Sequence, residues 1–409
     1  MDDEPHKSIE LRFPLVIIRT KRGLDIMERL SRMRVFKAAG WISLFLIPIL
    51  AASAIFLIGT TVSAYLISPP IREVARGIGP VGALLIPGLN PFLPIIYGWI
   101  AIFVGIVVHE GAHGIMARSL NIPVKSAGLM LFLGLPIGAF VEVDDKMMES
   151  VSFRHSGRVL AAGSGSNMVT AITALLLMIL VVGTMSPIEL GTPIAQVYVD
   201  LPAQNAGILP GDMILAVNDF PTPNPEDLGI QLANFSPGDE VKITVQRKME
   251  TIDYIVRLAE HPQDNSSSFL GVGSLPADVG SILDQYRGAL SLSPRMLIYL
   301  MFPTGNQILI PFSDTMHHFY TSSLGDAFHP LANLFFWIWF VNFNLGIFNA
   351  LPIYPLDGGQ ALRRGLSASL GTKLGEQRIK WITRGVSLTL ILLILSVFII
   401  PYVDLLTSI

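Results

Sequence analysis

The sequence predicts a polytopic α-helical membrane protein carrying one small soluble β-rich insert. Three observations support this. Of 409 residues, 51% are hydrophobic and only 14% charged, against about 25% charged in an ordinary soluble domain. Five apolar runs are each long enough for a hydrocarbon core, which needs roughly 20 residues. Between the third and fourth runs the pattern changes to short alternating strands punctuated by turn residues.

The elements follow in order along the chain. Residues 1–37 form a charged, mixed, basic segment, and Met1 to Arg34 lacks the short basic region and cleavable apolar core of a signal peptide. The first span is Ala38–Ile67 and the second Phe92–Ala117. Gly77–Pro94 is apolar but broken by Gly and Pro, and Gly128–Val143 is too short and glycine-rich for a comfortable helical span. Both read as non-helical backbone at the membrane, which is tolerated only where protein or a water-filled cavity satisfies it. The third span is Val159–Val182. Residues 77–183 form the first part of a core.

Gly191–His261 is the soluble insert, with strands at Ile194–Val199, Val241–Gln246 and Tyr254–Leu258 and turns at Leu209–Asp212 and Pro237–Asp239. Residues 262–330 link it to the fourth span, Leu331–Leu351. Within that linker Met296–Phe312 reads as re-entrant or interfacial, being interrupted by Pro303, Gly305, Asn306 and Gln307. Residues 331–364 are the second part of the core, and Ile382–Tyr402 is the last span. Lys and Arg crowd residues 1–37, 118–158 and 363–384 but are sparse between the first two spans. The positive-inside rule therefore puts the N-terminus in the cytosol, the β-rich insert outside and the C-terminus outside.

The most informative stretch is His109-Glu110-Gly111-Ala112-His113, inside an otherwise apolar run. Ionisable groups at membrane depth are costly and mark function by default. H-E-x-x-H on a helix sets two imidazoles on one face, where both can hold one zinc ion, and the adjacent Glu can act as general base on water at the metal. The chain has no cysteine, so disulfides, iron–sulfur clusters and Cys-ligated zinc are excluded. Any metal must use His, Asp, Glu or water. The net charge of -3 gives no footprint for nucleic acid.

A catalytic zinc usually takes three protein ligands. Asp357 is the best third candidate, because Pro352 and Pro355 unwind the chain just before it. His113 precedes Arg118, and Asp357 precedes Arg363, by similar short distances. Both therefore lie on the order of 8–13 Å in from the basic residues at helical rise. Asn167 opens the third span among small residues, and reads equally as a packing residue or a site residue. Asn342, Asn344 and Asn349 are unusual polar groups in the fourth span. His317 and His318 read as interfacial loop residues, and His6, His155, His261 and His329 as surface residues.

Together these motifs resemble the site-2 protease family of intramembrane zinc metalloproteases (peptidase M50), in an archaeal-like form with one PDZ domain. His109–His113 matches H-E-x-x-H, and Asn349 to Gly358 matches N-x-x-P-x-x-x-x-D-G. Gly163 to Asn167 is similar to G-P-x-x-N, with Ser164 where Pro is usual, which bears on a local kink. Asn205 to Asn218 resembles a PDZ segment. The resemblance implies zinc held by His109, His113 and Asp357, with Glu110 as base and Asn167 and Asn349 seating substrate or transition state. It implies a site-2-protease-like core in which Gly128–Val143 is a membrane-embedded β-hairpin that pairs with an unwound substrate strand. It further implies a multi-pass cell-membrane enzyme whose substrates are single-span membrane proteins, already trimmed by a protease of site-1 type, with no nucleic-acid partner. Two other classes compete: an inactive PDZ-containing membrane receptor with a structural zinc, and a metal transporter. The intact Glu110 argues against the first, since a structural site needs no base. The absence of internal repeats argues against the second.

Overall fold

All five apolar runs become helices. The computed structural model describes residues 9–82, 84–90, 93–132, 135–188, 190–248, 250–262, 264–274, 278–289 and 317–404. Among these, Arg34–Ile67, Ile95–Ser119, Phe153–Gly183, Gly325–Ala350 and Asp357–Tyr402 are long and apolar enough to cross a membrane. Large apolar side chains point outward along them at helical spacing, as with Ile172, Leu176 and Leu180, or Leu388, Leu392, Leu395 and Ile399. A water-soluble helix would bury such a stripe; here lipid is the solvent it suits. The chain divides into two units, residues 1–176 with 334–409, and residues 177–333.

The first unit begins with strands β1 (Ile9–Arg12) and β2 (Leu15–Arg19) and helix α1 (Lys21–Ser31). Thr20 caps α1, its hydroxyl accepting from the Gly23 amide at 3.2 Å. Helices α2 (Arg34–Ile67), α3 (Pro69–Gly82) and α4 (Ile95–Ser119) follow. Strands β3 (Val124–Phe132) and β4 (Leu135–Val143), short helix α5 (Asp145–Ser150) and long helix α6 (Phe153–Gly183) complete this stretch. The expected hairpin is therefore present, starting four residues earlier, at Val124 instead of Gly128. The expected non-helical stretch from Gly77 is helical through Gly82, with a break at Gly79, where φ is +71.

Residues 1–37, expected to lie apart from the core, belong to it in part. The four strands form one antiparallel sheet in the order β1-β2-β3-β4. β2 pairs with β3 from Leu15 opposite Phe132 to Arg19 opposite Gly128. Arg19 fastens the sheet face, donating to Ser126 Oγ at 2.8 Å. A Cβ at Gly128 would lie 2.2 Å from the Ile18 carbonyl oxygen, so this pairing needs a residue without one. Helix α1 then lies on α4. Met27 Sδ sits where a Gly114 Cβ would be, at 2.5 Å, and Arg118 bonds Glu28 at 2.8 Å. The Arg118 guanidinium, helped by Arg32, holds Glu28 below the ordinary carboxylate range. Local patterning missed this because the partners are separated by about a hundred residues of sequence.

The second unit is β-rich. Its strands are β5 (Met185–Pro187), β6 (Thr192–Val197), β7 (Met213–Val217), β8 (Phe220–Pro221), β9 (Glu240–Arg247), β10 (Glu250–Arg257), β11 (Ala259–His261), β12 (Asp264–Phe269), β13 (Val272–Ser274) and β14 (Tyr320–Ser322). Helices α7 (Pro202–Ala206), α8 (Pro225–Leu232) and α9 (Val279–Ala289) accompany them. The main sheet runs β10-β9-β7-β6-β13, with β8 on β7. Alternate residues Val241, Ile243 and Val245 of β9 point into a core with Ile194, Ile214 and Leu228. Asp212, in the Pro-Gly-Asp turn, is almost fully buried and held by Arg247 at 2.7 Å. Because β13 pairs with β6, the folded insert runs beyond His261. Met296–Phe312 lies outside the described residues.

The chain closes with α10 (Phe328–Ala350) and α11 (Asp357–Ile399). The helix that was expected from Ile382 starts at Asp357 and is interrupted at Gly375, where φ is +71.

Gly128→Ala tests the N-terminal sheet. The added methyl should lower stability by roughly 1–3 kcal/mol, the usual cost of overpacking. Denaturation of the detergent-solubilised protein, followed by tryptophan fluorescence, reads this. An unchanged midpoint would refute the β2–β3 pairing.

Candidate metal centre

Helix α4 carries His109 and His113 one turn apart, so their rings share a face, with centroids 4.8 Å apart. The two Nε2 atoms lie 3.2 Å from each other. Pro352 and Pro355 end α10, and the chain restarts as α11 with Asp357 as its first residue. This restart is tight: a Cβ at Gly358 would lie 2.0 Å from the Ala350 carbonyl oxygen, and one at Gly359 2.3 Å from the Ile353 carbonyl carbon. Asp-Gly-Gly is thus a close backbone crossing that aims the Asp357 carboxylate at α4. Asp357 Oδ2 stands 3.1 Å from His109 Nε2 and 3.2 Å from His113 Nε2.

These three ligand atoms form a nearly equilateral triangle. Donors about 2.0–2.1 Å from a tetrahedral zinc lie about 3.3 Å from one another, which matches. Asp357 Oδ2 is also buried without a hydrogen-bond partner of proper angle. Such an atom is costly unless something else meets it, and a cation shared with two imidazoles does so. A His, His, Asp donor set suits zinc and leaves one position open. The residues present therefore fit the metal, and they are a cluster of His, Asp or Glu side chains whose ligand atoms converge in this way.

Helix α6 backs both imidazoles. A Cβ at Gly163 would fall 2.5 Å from His109 Cε1 and 2.5 Å from His113 Nε2, so the rings rest directly on its backbone. His113 Nδ1 is 2.7 Å from the Val159 carbonyl oxygen. His109 Nδ1 is 3.2 Å from the Asn167 amide. The helix is continuous through Ser164, so the kink that Pro would bring is absent. Glu110 reaches the other way, accepting from the Val141 amide of β4 at 3.1 Å.

Of the sequence-predicted site residues, His109, His113 and Asp357 meet, Asn167 lies against His109, and Glu110, next to His109 on α4, bonds to β4. Asn349 is half-buried in the last turn of α10. Asn342 and Asn344 bond back to their own helix, at the Ile338 and Phe340 carbonyls, so their amide donors are satisfied locally. His155 bonds Ser152 at the surface, and His317 stacks on His329 in the second unit. Sequence reasoning missed Val159 and Val141, which act through backbone atoms and carry no residue-type signal. It also missed the steric duty of Gly163, although that residue stood in a recognised motif.

Comparison with known proteins identifies the family. The model of peptidase family M50 matches residues 97–394. An uncharacterized protein of Methanocaldococcus jannaschii is 27% identical over 84% of this chain and 75% of its own length. A Clostridium acetobutylicum protein named "Putative zinc metalloprotease" is 24% identical over 74% of this chain and 96% of its own. A 98-residue stretch is 36% identical to a probable periplasmic serine endoprotease, DegP-like, of Brucella suis, covering 24% of this chain and 19% of that protein.

Gly163→Ala should push the imidazoles off α6. We expect zinc affinity to fall at least tenfold while the far-ultraviolet circular dichroism is retained. Chelator competition measures the affinity, and wild-type binding by this variant would contradict the close packing described.

Proposed function

The chain belongs to peptidase family M50, and from that premise we propose that this multi-pass membrane metalloendopeptidase cleaves transmembrane helices of single-span membrane proteins, in regulated intramembrane proteolysis. The observation that carries the reading is the triangle of His109, His113 and Asp357 with Glu110 beside it, on helices whose outer surfaces are apolar.

His109 and His113 through Nε2, and Asp357 through Oδ2, would hold zinc. Bound there, zinc acidifies a water molecule and polarises the scissile carbonyl. Glu110 accepts the proton of the attacking water and delivers it to the leaving amine. The Val141 amide orients that carboxylate meanwhile. Asn349 seats the substrate.

A peptide bond inside a helix is already hydrogen-bonded and shielded, so the substrate must unwind first. β3 covers one side of β4, and the other edge of β4 has no strand partner among the described residues. We assign that edge, at membrane depth, to the unwound substrate strand, by β-strand addition. The distribution of basic residues favours a cytosolic N-terminus and a centre near the cytosolic face, and on this reading the released product is cytosolic. The β-rich insert is PDZ-like and extracytoplasmic, a reading that the stretch similar to a DegP-like protein supports. It serves as a size filter that admits substrates already trimmed by another protease.

Wild type and Glu110→Gln are compared in detergent on a single-span substrate, with and without chelator. We expect chelator to abolish cleavage and the substitution to slow it by about 10²–10⁴-fold. Mass spectrometry of the products should place the cut in the cytosolic half of the substrate helix. Equal cleavage by both proteins would end the assigned chemistry, and a cut in the outer half would end the orientation. Removing residues 191–274 should widen the range of substrate ectodomain sizes accepted, and an unchanged range would rule out a filter.

A further inference from the structure

The amide of Asn167 faces His109 in an arrangement that assigns it a different task from seating substrate. Asn167 is fully buried. No peptide reaches a side chain in that position without α6 moving away from α4. Its one contact of consequence is with the Nδ1 atom of His109, 3.2 Å from Nδ2, while Oδ1 is buried with no partner at all.

His109 turns Nε2 toward Asp357 and His113. A metal there takes the Nε2 lone pair, and the single proton of a neutral imidazole then sits on Nδ1. An amide N–H₂ set against that N–H puts donor against donor, and Oδ1 remains unused. The two ends of a carboxamide have nearly the same shape, so hydrogen bonding selects between them. With Oδ1 toward the ring, the Nδ1–H donates to an acceptor and the buried orphan oxygen is satisfied.

The neighbouring ligand shows the same design in the same helix. His113 Nδ1 meets the Val159 carbonyl oxygen at 2.7 Å, an atom that can only accept. Both Nδ1–H groups then donate into α6, one to a main-chain oxygen and one to a side-chain oxygen. The helices are locked at this level by Ser166, whose hydroxyl reaches the Val108 carbonyl of α4 at 3.3 Å.

We infer that Asn167 is a positioning residue for the metal, accepting the His109 Nδ1–H through its carboxamide oxygen and so fixing which nitrogen faces the ion. This rests on the zinc-peptidase reading above. Groups in this role typically contribute 10–100-fold to metal affinity.

The test uses the full-length protein in detergent, with zinc affinity read by competition against a chromophoric chelator and kcat and KM read separately. Asn167→Leu should bind zinc about 10–100-fold more weakly. Asn167→Asp keeps an acceptor oxygen and loses the amide donor, so it should bind within about threefold of wild type or more tightly. Zinc affinity unchanged in Asn167→Leu with a reduced kcat would overturn the inference in favour of a donor acting on substrate. Equal weakening in both variants would overturn it in favour of simple packing. If Asn167→Leu does not fold, Asn167→Asp decides alone: retained affinity supports the assignment and a tenfold loss overturns it. A wild type that binds no zinc would instead sink the peptidase reading itself.

Discussion

A helix that offers bare backbone to its neighbour's imidazoles is the constraint on which the rest of the catalytic half depends. The imidazoles of α4 lie against the backbone of α6 at Gly163, and every other contact is arranged around that approach. It brings the Val159 carbonyl within reach of one ring and Asn167 within reach of the other. It leaves the Glu110 carboxylate turned toward β4. A second close crossing, at Gly358 and Gly359, delivers the carboxylate to the same place. The three ligand atoms are thus fixed by backbone packing more than by their own side-chain preferences. Such sites hold their geometry before any metal arrives, because their supporting shell is rigid.

The spans and the ligands were legible from the sequence because they are written in local terms. Hydropathy marks a span, and two histidines four residues apart mark a face of a helix. Asp357 was legible because two prolines advertised an unwound segment at a matching depth. The β-rich insert announced itself through alternation at Val241, Ile243 and Val245. What stayed hidden was non-local or carried by the main chain. Neither the Val159 carbonyl nor the Val141 amide depends on which residue supplies it. The pairing of Leu15–Arg19 with Gly128–Phe132 could not be read from either segment alone, since register is set between strands. The start of α11 at Asp357 was missed for a simpler reason: the basic stretch after it looked like a loop, yet Arg, Lys, Ala and Leu are good helix formers.

The N-terminal hairpin changes what the hairpin after α4 can do. An isolated two-stranded hairpin is marginal at best, and β3 with β4 alone would be open on two sides. β2 closes one of them. Among the described residues the edge of β4 toward Glu110 stays unpaired by another strand, and the sheet's other edge is β1. Helix α1, seated on α4 through Met27 and the Glu28–Arg118 pair, ties this sheet to the helix that carries the histidines.

The same topology dictates a timetable for biosynthesis. β1 and β2 are made before β3 and can pair only with each other until it emerges, after α4. The two histidines and their sheet have then been made, but Asp357 still waits behind the entire β-rich unit and another span. A nascent chain therefore lacks the third member of the candidate cluster until α10 has been made. The cluster is complete only when the Asp357 segment folds back onto α4, so the order of the chain sets when the site can form.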